Sequence, residues 1–163
     1  MASISEETQK QTGEPAHADE RCVTLEKVMG IVLCVSRIDQ ETLAYTASMS
    51  VRSDDDMLGE RRKNILRDMS RIPPAMRYAK IRKSVNLPDV GDSLRKIRKV
   101  RNNLAHNVDI ISADGAYGSY DPPVSYSRKD LNDTLDAANA CHAALTKISE
   151  KHPKYIKWVK TRD

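Results

Sequence analysis

The chain has 163 residues, 31% of them charged, with a net charge of +4, one Trp and no Phe. This length fits one domain whose core is built from Leu, Ile, Val, Met and Ala, a palette suited to packed helices. The apolar run Ile31 to Val35 is far too short to span a bilayer, the N-terminus has no signal-peptide h-region, and Cys22, Cys34 and Cys141 form no CxxC, so neither a zinc site nor a redox pair is expected.

Residues 1 to 18 are polar and read as a disordered tail, leaving 19–163 as the folded domain. Asp19 is a reasonable N-cap for a long first helix ending near Ser50. Its inner face is Val28, Ile31, Val35, Ile38, Thr42, Tyr45 and Met49, which follow steps of three and four. Gly30 weakens that helix without stopping it. The acidic run Ser53 to Asp56 suits a helix N-terminus through the macrodipole, with cation binding as the lesser reading. A second helix is expected from Asp55 to Arg71, with Leu58, Arg62, Ile65, Met69 and Ile72 inward, stopped by Pro73 and Pro74.

A short basic helix fits Ala75 to Val85, and a loop containing Pro88 follows it. The third long helix runs from about Asp89 to Asn107, with Val90, Leu94, Ile97, Leu104 and Val108 as its stripe. Asp109 to Tyr126 is rich in Gly, Ser, Tyr and Pro. Asp114-Gly115 is a turn signal there, and a small hairpin and a surface loop fit about equally. Ser127, with Asp130 three residues on, opens the last long helix through a variant capping box. Leu131, Leu135, Ala138, His142 and Leu145 face inward there, His142 as a satisfied core histidine. Pro153 interrupts the pattern, His152 before it caps a helix C-terminus or faces solvent, and Tyr155 to Lys160 adds a final turn or two. The fold class is all-α: a bundle of four principal helices with a short extra helix and room for a small hairpin. The cysteines are expected as reduced thiols packed like small hydrophobes.

The segment IRKVRNNLAH, Ile97 to His106, breaks its own pattern. With Ile97 at zero on a helical wheel, Arg101 falls at about 40°, inside the apolar stripe, while His106 falls at about 180°. Asn102 and His106, four residues apart, share the outer face. In a straight helix Arg101 and His106 therefore point in different directions. Three arrangements would resolve this: the arginine curls about the helix, the helix distorts near His106, or a two-fold axis joins two copies in a composite site. The structural alternative is that Arg101 reaches a carboxylate while His106 caps the helix or faces solvent.

The residue types suit metal-free RNA cleavage. Histidine serves as base or acid near neutral pH, and arginine holds phosphate oxygens and stabilises developing charge. Asn102 can orient either partner. Arg95, Lys96, Arg98 and Lys99 lead to His106, and further clusters lie at Arg61, Arg62 and Lys63 and at Arg77, Lys80, Arg82 and Lys83. Together they read as a track for a phosphate backbone or, taken singly, as solvated helix faces. Tyr117, Tyr120 and Tyr126 in the following loop pack that loop, stack on bases or carry a modification, with packing the leading reading. No glycine-rich phosphate loop is present, which argues against an NTPase.

The segment RNNLAH, Arg101 to His106, with the amphipathic lead-in LRKIRKV, Leu94 to Val100, resembles the R-x(4–6)-H motif of HEPN domains. Asn102 occupies the place after Arg where that family often carries a polar residue. The helical layout over residues 19 to 160 agrees, and Leu58-Gly59 is similar to a Leu-Gly seen in some relatives. The resemblance implies a homodimeric helical bundle and a metal-independent endoribonuclease, a hydrolase without cofactor. Such proteins are commonly cytoplasmic toxins of toxin–antitoxin pairs or effectors of antiviral defence. Arg101 and His106 would be catalytic with Asn102 orienting them, and Arg95, Lys96, Arg98 and Lys99 would bind RNA. The implied partners are RNA, a second copy, and an antitoxin or defence-system protein, with no membrane. Val108 stands where toxins paired with minimal nucleotidyltransferase antitoxins often carry Tyr, so that particular partner is not implied. The alternatives are a non-catalytic HEPN module that binds RNA or nucleotide, and a helical protein-interaction subunit.

Overall fold

The computed structural model describes residues 14–84 and 91–161. The proposed tail up to residue 13, the loop over 86–90 and the stripe position Val90 lie outside the described residues. Six α-helices and a short 3-10 turn carry most of the chain: α1 (Glu14–Ser50), the turn Asp54–Met57, α2 (Gly59–Ser70), α3 (Pro74–Ser84), α4 (Gly91–His106), α5 (Arg128–Ser149) and α6 (Pro153–Lys160). A three-stranded antiparallel sheet, β1 (Ile110–Ile111), β2 (Gly115–Gly118) and β3 (Val124–Ser127), sits between α4 and α5 in order β1-β2-β3. Among the described residues, six helices and a three-stranded sheet thus stand where four principal helices, a short extra helix, a final turn or two and a small hairpin are expected.

α1 is the spine. Val28, Ile31, Val35, Ile38, Thr42 and Tyr45 are buried, as their spacing requires. The helix starts at Glu14, so it passes through Asp19 and leaves no N-cap there. α5 is its main neighbour, presenting Leu131, Ala138, Cys141 and Leu145 to the same core. At Gly30 the two helices come close, and a Cβ there would stand 3.2 Å from Leu135 Cδ1. Glycine in mid-helix is tolerated where it permits this approach. Of the cysteines, Cys34 and Cys141 are buried thiols and Cys22 is exposed, which corrects the expectation for Cys22.

The second helix is interrupted near its start. Ser53 and Asp56 form a reciprocal capping box on the 3-10 turn. Leu58 is then extended and Gly59 has φ +52°, a left-handed conformation that favours glycine. Leu58 consequently points outward, 55% exposed, instead of joining the inner face. Arg62 lies over the Trp158 ring at 3.9 Å and donates to the Trp158 carbonyl at 3.0 Å. This second, smaller core gathers Ala44, Ala47, Val51, Met57 and Trp158, and it fixes α6 to α1 and α2. His152 precedes α6 at the N-cap position, with its ring edge-on to Tyr45, so it neither caps a C-terminus nor simply faces solvent.

The sheet forms because its sequence alternates and its ends are tied. Ile110 pairs with Tyr117, and Ala116 pairs with both Ile111 and Tyr126. Ser127 ends β3 and caps α5 at once: its hydroxyl accepts from the Asp130 backbone, and Asp130 Oδ2 accepts from the Ser127 backbone at 2.8 Å. No helix among the described residues is long and apolar enough to cross a membrane.

Candidate functional site on α4

α4 splits into two sides as its wheel predicts. Leu94, Ile97 and Leu104 are buried, at 2, 3 and 7% exposure. Arg101 lies beside them, half-buried, with Nη2 donating to Asp39 Oδ2 of α1 at 3.2 Å. Arg98 reaches the same oxygen at 3.5 Å. Arg77 of α3, only 4% exposed, donates to the Asp39 and Met69 carbonyls at 3.4 and 3.3 Å. Three guanidinium groups therefore gather round one carboxylate. Burial pushes the Asp39 carboxyl above its ordinary range, and Arg98, Arg101 and Arg77 pull it down against that effect. Burial also lowers Arg77. One Asp39 oxygen and the Nε atoms of Arg77 and Arg101 are buried without a hydrogen-bond partner among the described residues.

The outer side of α4 carries Arg95, Lys99, Asn102 and His106, all exposed and spaced at four, three and four residues. On the wheel they fall between about 140° and 200° from Ile97. They form one stripe along the helix, ending in the imidazole. Arg95 pairs with Asp92 at 3.7 Å, an exposed contact of little energetic weight. Lys96 is exposed a little off this line. Arg98, expected on the basic track, is turned inward to Asp39.

Within one chain the structure thus brings Asn102, His106, Arg95 and Lys99 together and places Arg101 elsewhere. The helix remains regular to His106, so no local distortion joins them. His142, expected in the core, is half-buried at the α1–α5 surface, with Nε2 3.3 Å from Glu41 Oε2.

α4 runs back along α1: Arg101 meets Asp39, and further on the Ala113 carbonyl accepts from Thr24. The end of α4 is therefore level with the middle of α1. There α1 exposes Leu25, Met29 and Leu33, at 42, 53 and 57%, as a stripe with a four-residue step. An apolar stripe of this kind is a feature of protein contact surfaces.

Sequence reasoning did not identify Asp39 and Arg77 as the surroundings of Arg101. Nor did it single out Asn103 and Asn107 on the flank of the outer stripe. Asn103 Nδ2 donates to the Tyr126 hydroxyl at 2.6 Å, and Asn107 Nδ2 donates to Asn103 Oδ1 at 3.2 Å. Two amides one turn apart at a helix end were the available signal. No family model, curated protein or solved structure matches this chain.

Proposed function

We propose that this chain is a HEPN-type, metal-independent endoribonuclease that works as a homodimer. The reading rests on the exposed stripe Arg95, Lys99, Asn102 and His106, in which cationic residues lead along one helix face to an imidazole. Phosphates track along Lys99 and Arg95 while His106 takes the proton from a ribose 2′-OH. The oxygen attacks the adjacent phosphorus, and the 5′-oxygen leaves with a proton from the second protomer's His106. The products are a 2′,3′-cyclic phosphate and a 5′-hydroxyl. Asn102, one turn before His106, orients the imidazole or the phosphate.

Arg101, turned away from His106 within its own chain, would supply positive charge to the phosphate across the two-fold axis of the dimer, from the edge of the cluster at Asp39. The exposed apolar stripe of Leu25, Met29 and Leu33 on α1 supports a second copy docking there and building a bundle from both chains. As in the family it resembles, the protein would serve in the cytoplasm as a toxin or phage-defence effector beside an antitoxin or defence-system partner.

A second reading is favoured by one observation. Arg101 is held by Asp39, as a purely structural arginine would be, which suits a HEPN module that binds RNA without cutting it. Wild type, His106→Ala and Arg101→Ala incubated with end-labelled RNA in EDTA separate the readings. Cleavage that disappears in His106→Ala, with cyclic-phosphate ends, is the expected result. Binding without cleavage by wild type establishes the module. Neither binding nor cleavage leaves a helical interaction protein. A monomeric mass in solution overturns the composite site.

A further inference from the structure

Beside His106, the end of α4 and the β2–β3 connection enclose a pocket of about 380 Å³. Its size lies within the range of small-molecule sites. The functional reading above does not use it. Lys99, Asn103 and Asn107 contribute from the helix side, and Tyr120, Asp121 and Tyr126 from the sheet side. We infer that this pocket holds one unstacked nucleobase of a single-stranded RNA, the base adjoining the phosphate presented to His106. The inference deepens the ribonuclease reading and rests on it for the neighbouring phosphate alone.

Three features carry the inference. The first is an exposed aromatic: Tyr120 is 63% exposed and lines the pocket. A solvent-facing ring beside a cationic stripe offers a stacking platform, which every base can use.

The second is a polar edge with a defined pattern. Asn107 donates to Asn103, and Asn103 donates to the Tyr126 oxygen. Each amide carries two N–H groups, so beyond these bonds the set still offers the Tyr126 hydroxyl proton, one N–H on each amide and the Asn107 Oδ1 acceptor. A base edge that pairs a donor with an acceptor is read by such a set. Asp121 adds an acceptor for an exocyclic amine.

The third is rigidity. β2 lies so close to the end of α4 that a Cβ at Gly118 would collide with the Asn107 carbonyl oxygen. Asp109 accepts from the Ser119 backbone and hydroxyl at 2.9 and 2.6 Å, and these bonds hold its carboxyl below the usual range. The amide pair is thus set on a fixed frame before any ligand arrives, which lowers the cost of binding.

The position relative to the stripe is decisive. Lys99 belongs to both the outer stripe and the pocket lining, and Asn103 and Asn107 bracket His106 in sequence. A strand whose phosphate lies against Lys99 and His106 has its base directed past Asn103 toward Tyr120. The ligand class is therefore a base on a strand, with the sugar-phosphate held outside the pocket.

The test uses the full chain and two readouts. In the first, side-chain amide resonances of Asn103 and Asn107 are followed while nucleoside monophosphates, and separately a non-cleavable single-stranded hexanucleotide with 2′-O-methyl riboses, are added. The hexanucleotide should shift both resonances and bind at least tenfold more tightly than any mononucleotide. Tyr120→Ala should weaken it about tenfold, and Tyr120→Phe should restore stacking. In the second, the ends left by wild type and Asn107→Asp on a random RNA pool are sequenced. Wild type should show a base preference at one position beside the cut, and the variant should change it.

Unshifted Asn103 and Asn107, or Tyr120→Ala binding within twofold of wild type, overturns the pocket even if RNA is cut. Equal affinity for a mononucleotide overturns the strand and assigns the pocket to a free nucleotide. Shifted resonances and a Tyr120 effect without any cleavage support the pocket while the ribonuclease reading fails.

Discussion

Arg101 and His106 stand on one helix and occupy opposite surroundings. Arg101 lies against the core, tied to a carboxylate from α1 with two further arginines close by. His106 stands in the open at the end of a cationic stripe. The contrast teaches that one short motif can divide its work. The first residue is fixed by tertiary structure, and the last is exposed to solvent. Stability and chemistry should then separate by mutation along α4.

Urea unfolding of single variants gives a ladder that tests this division. Asp39→Ala should fall furthest, by about 3 kcal/mol, because it leaves three guanidinium groups, one of them buried, without their counter-charge. Arg101→Ala should cost about 2 kcal/mol through the stranded Asp39 carboxylate and the lost packing of its stem. A cost for Arg101→Ala equal to that of His106→Ala would erase the distinction between the two sides. Ser127→Ala removes the hydroxyl that caps α5 and should cost about 1 kcal/mol. His106→Ala and Asn102→Ala should stay within about 0.5 kcal/mol of wild type, since neither side chain is packed. A larger loss would mean that the outer face supports the fold.

pH sharpens the same comparison on the capping side. The carboxyls of Asp130, Asp109 and Asp56 are held below their ordinary range by hydrogen bonds from Ser127, Ser119 and the Arg52 and Ser53 backbone respectively. A carboxyl with a depressed folded pKa adds stability that is complete above its unfolded value. That stability is lost as pH falls through the folded one. The melting temperature should therefore be insensitive to these groups from pH 7 to 5 and drop below about pH 4. Asp130→Asn should make the acid limb shallower. Asp39, raised by burial, titrates at higher pH with a slope of the opposite sign.

Local rules were legible where they acted alone. The steps of three and four in α1 foretold its buried face, and Ser127 with Asp130 foretold the start of α5. The placement of Arg101 within the apolar stripe foretold that it would not share a direction with His106. Other features depended on partners remote in sequence. Nothing near Asp39 marks it as the carboxylate that receives Arg101, because 62 residues separate them and only tertiary packing brings them together. α2 starts late because backbone geometry at Leu58 and Gly59 overrides the helical spacing of Leu58 with Arg62. The third strand left a signal in Val124-Ser-Tyr-Ser, where alternate residues face one side.

The junction at Ser127 has a mechanical consequence. This residue is the last of β3 and the cap of α5, so no linker separates strand from helix. A chain without slack at such a point has no hinge there. Any load on Tyr126, one residue earlier, passes straight into the helix that packs most extensively on α1. Occupying the pocket should therefore slow amide hydrogen exchange in the first turn of α5, which begins two residues beyond Tyr126. Strand, cap and helix thus share one joint, through which the sheet is rooted in the core.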